Sequence, residues 1–301
     1  MKVNLCVCTF RRGSLSDTLF SIEKMFVPED IELSVIIADN DISPSAQQRV
    51  KAFCAQSDLA IRYVHAPKQN ISIARNACLE LCDGDWIGFI DDDETIDKHW
   101  LEAMYTAILD SEHGIFLGPV EAIYSPNEHR QWMPKGAFHD TKPTFRDGKI
   151  CSGYTCNVLI RYNDTQVKSI RFDERFGKTG GEDTLFLEQL QTLGLSMTYV
   201  ENARVREPVP TQRSSLKWLM QRRFRFGQTH ARVLLEQNTS VYARIKHIAS
   251  AIIKAAYCYS GALLTCFNAI KWRQWSIRGA LHIGVIARMI KNKDIELYGK
   301  A

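Results

Sequence analysis

Four acidic residues stand in a row, Asp91-Asp92-Asp93-Glu94, directly after the apolar run Trp86-Ile87-Gly88-Phe89-Ile90. Such a short apolar run reads as a buried strand, which puts the acids at its carboxyl end. Carboxylates this close repel one another, and a divalent cation relieves the repulsion. Asp91 and Asp93 are the pair expected around that ion. Their hard oxygens suit Mg²⁺ or Mn²⁺, which commonly shares its coordination with substrate phosphates. A solvated acidic turn has the same local composition, and only convergence of other groups on this strand end separates the two. A second acidic pair, Glu182-Asp183, follows the glycine-rich stretch Gly177-Lys178-Thr179-Gly180-Gly181 and opens a segment of helical spacing. Acids are also good helix N-terminal residues, so capping and chemistry both stand there on local grounds.

The elements that position these acids alternate along the chain. Apolar runs at residues 3–8, 33–38, 61–65 and 85–90 read as strands, and helical spacing falls between them at about 15–26, 45–56 and 73–82. Near-continuous apolar strands alternating with helices predict an α/β fold, a mostly parallel sheet covered on both faces. Ligands of such sheets bind outside the carboxyl ends of the strands, where Thr9, Asp39 and the 91–93 cluster all fall. No G-x-G-x-x-G and no Walker loop is present, which argues against dinucleotide and P-loop sites. Further on, 100–110 reads as a helix, and 115–124 as one strand with an irregularity at Pro119. Residues 125–150, rich in Pro, Gly, Lys and His, read as a mobile surface segment, and 153–160 as another strand.

The 301 residues are 45% hydrophobic and 24% charged, ordinary globular composition for one large domain with an appendage or for two domains. The net charge of +4 hides an asymmetry. Residues 201–301 carry 18 Lys/Arg against 5 Asp/Glu, whereas residues 1–200 sum to −9. An acidic front half suits a metal site, and a basic tail suits an anionic partner. The nine cysteines are odd in number and form no Cys-x-x-Cys pair, as expected of free thiols in a reducing cytoplasm. The N-terminus carries no signal-peptide pattern.

Taken in order, Val3–Phe10 with Thr9, Val35–Asp39, Ala74-Arg75-Asn76, Phe89–Glu94 and Gly180–Asp183 resemble the family-2 glycosyltransferases of the GT-A fold, over about residues 1–230. Within that family, Phe172-Asp173-Glu174-Arg175-Phe176 and the Gly-Gly-Glu-Asp that follows are similar to bacterial exopolysaccharide enzymes of the succinoglycan type. The resemblance implies a nucleotide-sugar-binding, Rossmann-like sheet. It implies that the backbone at Thr9 meets uridine, that Asp39 contacts the base and that Asp91 lies near the ribose. Asp93 would hold the metal on the diphosphate, with Asp92 in the variable middle place and Asn76 near the nucleotide. Asp183 matches the catalytic base, with Glu182 beside it. Many relatives carry a metal-binding His after the last strand. Here Val205-Arg206-Glu207-Pro208 has none, so Glu207 or water would complete the shell. The Gln-x-x-Arg-Trp signature of processive synthases is absent from Gln221-Arg222-Arg223-Phe224-Arg225-Phe226, which favours one sugar per encounter. The implied reaction is inverting, metal-dependent transfer from a UDP-linked hexose to a lipid-linked or oligosaccharide acceptor. A nucleotidyltransferase and a non-catalytic nucleotide-sugar-binding subunit are the rivals.

The division expected is a catalytic domain at 1–213 (donor half to about 95) and a basic helical region at 214–301. Ile245, Ile248, Ala249, Ile252, Ala256, Tyr259, Leu263 and Ile270 recur at helical spacing, with Arg244, Lys246 and Lys254 off that face. The uncharged stretch 255–270 falls short of the ~20 residues a spanning helix needs. Basic amphipathic helices suit the inner face of an anionic membrane, giving a cytoplasmic, peripherally bound protein. A helical cap on the catalytic domain or on a second subunit explains the same pattern. Nucleic acid is not expected, because no recognition motif accompanies the charge.

Overall fold

The computed structural model describes residues 1–125, 129–237 and 240–291. Its front part alternates as the apolar periodicity predicts: β1 (Lys2–Thr9), α1 (Leu15–Glu23), β2 (Glu32–Asp39), α2 (Gln47–Cys54), β3 (Ile61–His65), α3 (Ile71–Leu81) and β4 (Trp86–Asp91). There follow β5 (Thr95–Ile96), α4 (Trp100–Leu109), β6 (Ile115–Leu117), β7 (Val120–Ile123), α5 (Trp132–Lys135), and the hairpin of β8 (Thr144–Arg146) and β9 (Lys149–Ser152). Next come β10 (Asn157–Arg161), α6 (Thr165–Ser169), α7 (Glu182–Thr192), β11 (Met197–Tyr199) and β12 (Val205–Pro208). Three long helices, α8 (Leu216–Gln237), α9 (Val241–Leu264) and α10 (Lys271–Ile290), close the described chain. Residues 292–301, the end of the expected basic region, lie outside it.

The main sheet has the order β11-β6-β10-β4-β1-β2-β3, and only β10 runs against the rest. Its strands bury both faces, which is why their sequences are apolar without a polar alternate. Val3, Leu5 and Val7 of β1 pack on one side with Leu15, Leu19 and Ile22 of α1, Val50 and Phe53 of α2, and Trp100, Leu101 and Met104 of α4. Cys6, Ile36, Ile87 and Phe89 face the other side, against Ala74, Cys78 and Leu79 of α3 and Phe186, Leu187 and Leu190 of α7. The strand periodicity thus sorts each residue to one helix layer or the other.

The single strand expected at 115–124 is two, in different sheets. β6 belongs to the main sheet, whereas β7 pairs with β12 in a small sheet that also holds β5. The break is at Gly118-Pro119. A Cβ on Gly118 would lie 2.1 Å from the Ala203 carbonyl oxygen and 2.4 Å from Asn157 Nδ2, so only glycine passes. Asn157 then ties the switch together: its Nδ2 donates to the carbonyls of Pro119 and Ala203, and its Oδ1 accepts from the Trp100 indole at 2.8 Å.

The segment expected to be a surface loop at 125–150 instead contributes α5 and the β8–β9 hairpin, and its described part is anchored. Met133 is fully buried against Leu219 of α8 and Ile277 of α10. His139 is 4% exposed, stacked on Trp218 at 5.4 Å, with Nδ1 paired to the Tyr124 hydroxyl and Nε2 to the Arg213 carbonyl. These anchors are single residues without periodicity, so composition alone read the segment as loop.

Burial pushes the His139 imidazole down to about 4, so it stays neutral in the fold and protonates first in the unfolded chain. Its stabilising effect is complete above the ordinary value of about 6.5 and is lost as pH falls towards about 4. Between about pH 7 and about pH 5 it should cost about 2 kcal/mol of stability. Urea unfolding at both pH values is expected to show a shallower loss in His139→Gln; equal slopes would contradict the burial argument.

Candidate active site

The strand register sets the site. Thr9 at the end of β1 pairs with Asp39 at the end of β2, and Cys8 pairs with Asp91 at the end of β4. Three parallel carboxyl ends therefore lie side by side, the arrangement that leaves a crevice above an open sheet.

The four acids from the last residue of β4 onward divide their labour. Asp92 is 8% exposed and closes the rim: its Oδ2 accepts from the Thr9 hydroxyl at 2.7 Å and from the Phe10 backbone N–H at 3.4 Å. Burial pushes its carboxyl up to about 6, with the Thr9 bond opposing. Glu94 is 1% exposed, and its Oε2 accepts from the Asp91 backbone N–H at 2.8 Å, which fixes the turn. Burial holds this carboxyl well above its usual range. Asp91 and Asp93 remain half-buried at the rim. Burial drives Asp91 up to about 7, against Arg75, and Asp93, Asp92 and Glu207 add to the rise. Asp93 Oδ2 sits 3.2 Å from Arg12 Nη1 and 4.0 Å from Arg213 Nη2, and Arg213 also grips Glu207 Oε1 at 2.6 Å.

The second acidic pair arrives on the glycine loop. Gly180 and Gly181 have φ of 88° and 99°, the left-handed region that side chains avoid. The loop is held rather than loose. A Cβ on Gly177 would lie 1.7 Å from Asn70 Oδ1, and Arg232 of α8 donates to the Thr179 hydroxyl and the Arg175 carbonyl, its guanidinium 3.8 Å over the Phe176 ring. Glu182, the first residue of α7, is 3% exposed and bonded through Oε1 to Arg75 Nη1 at 2.6 Å, while its buried Oε2 has no hydrogen-bond partner. Burial raises the Glu182 carboxyl, and Arg75 pulls against that. Asp183 is half-buried, with Oδ1 accepting from the Thr184 backbone N–H at 2.7 Å.

Cys156 lies within electrostatic reach of both acidic groups. Its thiol is pushed well above its usual value by burial, and the carboxylates that add to the rise are Glu94, Asp91, Glu207 and Asp183. Among the described residues, Asp91, Glu94 and Cys156 bring ligand atoms within 4.8 Å of one another. That trio is a poor cation cage, because the thiol stays protonated and Glu94 is sealed against the Asp91 amide. Asp91 and Asp93, with half-buried hard oxygens, fit Mg²⁺ or Mn²⁺ better, and Glu207 stands near them.

Two residues singled out by resemblance have structural ties. Asp39 is fully buried and accepts from the backbone N–H groups of Asp41 and Ala46 and from the Tyr63 hydroxyl at 2.8 Å, which shapes the 40–46 loop. A carboxylate has about four acceptor sites, so Oδ1 keeps capacity for a ligand. Asn76 spends its amide on Phe172, donating to its carbonyl at 2.9 Å and accepting from its N–H at 2.8 Å. It clamps α3 to the approach of the glycine loop. Arg12, Arg213 and Cys156 carried no signal in the sequence, since each meets the acids only through the fold. Beyond Arg213 a cavity of about 340 Å³ opens between Arg130, Trp132, Ser214, Leu216, Trp272 and Arg273.

The comparisons agree with this architecture. Residues 5–167 match the family model "Glycosyl transferase family 2". The chain belongs to that family. It is 42% identical over 299 residues to the succinoglycan biosynthesis protein ExoM of Rhizobium meliloti (strain 1021), covering 99% of this chain and 96% of that one. The mannosyltransferase PcManGT of Pyrobaculum calidifontis, solved with GDP-Man and Mn²⁺, superposes with a TM-score of 0.63 at 16% identity, over 97% of this chain and 88% of its own. S. aureus TarS 1-349, solved with UDP-GlcNAc, gives 0.53 at 11% identity over 100% and 99%. Both share the α/β fold with its mostly parallel sheet.

Removing Arg75 leaves Glu182 buried without its cation, an effect worth about 3–5 kcal/mol. Arg75→Met is expected to lose about that much in urea unfolding, and the added change Glu182→Gln should restore at least half. A single variant within about 1 kcal/mol of the parent would contradict the pairing.

Proposed function

We propose that this chain transfers a single sugar, with inversion, from a nucleotide-diphospho-sugar to a lipid-linked saccharide during exopolysaccharide synthesis, using Mg²⁺ or Mn²⁺. The observation that carries the reading is the Arg75–Glu182 ion pair at 2.6 Å, which fastens the start of α7 and its Asp183 to α3, the helix packed on β1 and β2, whose carboxyl ends carry Thr9 and Asp39. A donor site and a base must face each other for a hydroxyl to attack a sugar in line. The full-length similarity to a succinoglycan biosynthesis protein supports the pathway class. A UDP-hexose is the proposed donor, in keeping with the uridine contacts implied at Thr9 and Asp39. Residues 1–213 are proposed as the catalytic unit and 214–301 as the region that meets the acceptor and the inner face of the membrane.

In this reading Asp93 holds the cation, with Asp91 near it and near the ribose. When bound, the cation neutralises charge that grows on the departing diphosphate. Arg12 and Arg213, which flank Asp93, stand ready to bind the same phosphate oxygens as they arrive. Asp183 accepts the proton of the attacking hydroxyl, a contribution of ~10²–10⁴-fold. Glu182, bound to Arg75, positions its neighbour from beneath. Attack opposite the leaving group turns an α-linked donor into a β-linkage. The cavity beyond Arg213, walled by tryptophans and arginines, suits the acceptor's sugar and phosphate.

Asp183→Asn is expected to keep donor binding and lose ~10²-fold or more in turnover. Asp93→Ala should lose Mn²⁺-dependent binding of the donor in calorimetry. Near-normal turnover in Asp183→Asn would refute the assignment of the base.

A further inference from the structure

The apolar stripe that the sequence places on helix α9 faces outward. It rests on α10 through small residues: Ala251, Ala255 and Cys258 are buried. The helices approach closely there, since a Cβ on Gly279 of α10 would lie 2.9 Å from the Tyr259 ring and one on Gly261 2.9 Å from the Trp275 ring. The large side chains turn outward. Tyr242, Ile245, Ile252, Ile253 and Leu263 are 78%, 60%, 52%, 70% and 75% exposed, and Phe267 beyond the helix is fully exposed. At 100° per residue these helical positions fall on one stripe that runs nearly the length of α9, about 30 Å. Singly scattered exposed hydrophobes are normal on a soluble surface, but a continuous stripe marks an interaction site.

We propose that the outer face of α9 lies in the boundary between head groups and acyl chains of an anionic lipid bilayer. The charge around the stripe selects this occupant. No Asp or Glu occurs between Glu236 and Asp294, whereas Arg244, Lys246, Lys254, Lys271, Arg273 and Arg278 do. Lys246 and Lys254 are exposed on α9 itself. A two-fold pairing of this face with a second copy would oppose like charges with no acid to offset them. A bilayer bearing anionic lipid accepts the apolar stripe and attracts the lysines at once. Tyr242, Tyr257 and Trp275 supply rings of the kind that settle at head-group level. No described helix is long and apolar enough to cross a membrane, so the contact lies in the plane of the surface. The α10 end that follows carries Trp272 and Arg273 of the cavity beyond Arg213, which brings that cavity to the bilayer. The inference gives the proposed lipid-linked acceptor its surface, but binding is measurable without donor or acceptor.

The test is flotation of the full-length protein with vesicles of phosphatidylcholine alone or mixed with phosphatidylglycerol, at near-physiological salt. The parent protein should float with the anionic vesicles. Ile252→Asp combined with Leu263→Asp should cut that binding at least tenfold while melting temperature and nucleotide release from the donor stay unchanged. Lys246→Gln with Lys254→Gln should weaken binding to anionic vesicles by about tenfold or more at low salt and leave neutral vesicles unaffected. Failure of the parent to float, or equal flotation of the aspartate variant, would overturn the proposal. So would a parent dimer that the aspartate pair splits, since the face would then join two copies. Loss of nucleotide release in the parent would bear on the glycosyl-transfer reading alone.

Discussion

The fold gathers more negative charge at one strand end than water-free surroundings tolerate, and its other features follow from containing that charge. Asp91, Asp92, Asp93, Glu94 and Glu207 crowd the rim, and burial raises the carboxyls of Asp91, Asp92, Glu94 and Glu207 above their ordinary range. Two are absorbed by structure, Asp92 by Thr9 and Glu94 by the Asp91 amide. Arginines from distant parts of the chain hold the remainder: Arg12 after β1 pairs with Asp93, Arg213 before α8 pairs with Asp93 and Glu207, and Arg75 on α3, itself bonded to Glu182, opposes the rise at Asp91. In the proposed reading a site so compensated receives a ligand that brings its own cation, because the guanidinium groups can turn from carboxylate to phosphate.

Much of this was legible in the sequence. The strands announced themselves because a sheet covered on both faces leaves no polar alternate, and each apolar run ended on the residue that now sits at the crevice. The acidic run at the end of β4 and the glycine-led pair at Glu182-Asp183 were visible as residue types, although a solvated turn and helix capping explain each of them equally well on local grounds. The rest depended on contacts across the chain. Arg75 and Glu182 meet across 107 positions, and nothing local to either predicts the other. The break at Gly118 exists because Ala203 and Asn157 press on it, so the apolar pattern of 115–124 read as continuous. Asn76 on α3 and Asp39 at the end of β2 use their side chains to hold neighbouring segments in place. Residue type marks the position there, while the bonding partners define the work.

The C-terminal helices teach the same lesson with opposite sign. Periodicity found the apolar stripe on α9 correctly, but burial does not follow from periodicity when small residues can pack more closely. Gly227 and Gly284 let α8 and α10 approach until a Cβ on either would lie 1.9 Å from the facing backbone carbonyl. Ala251 and Ala255 continue that close packing into α9, and the bulkier side chains are left outside. α8 meanwhile reaches the active site, since Arg232 grips the glycine loop that presents Asp183. The helices that bear the exposed stripe are thereby tied to the loop that carries the proposed base.

The central claim is that Asp91 and Asp93 receive a divalent cation together with a diphosphate, and the most direct measurement is anomalous scattering from crystals grown with Mn²⁺ and UDP. The account predicts a manganese peak beside Asp93, bridged to the diphosphate, with Arg12 and Arg213 turned towards the phosphates. A peak between Glu94 and Cys156, or nucleotide bound with no metal at Asp93, would contradict it.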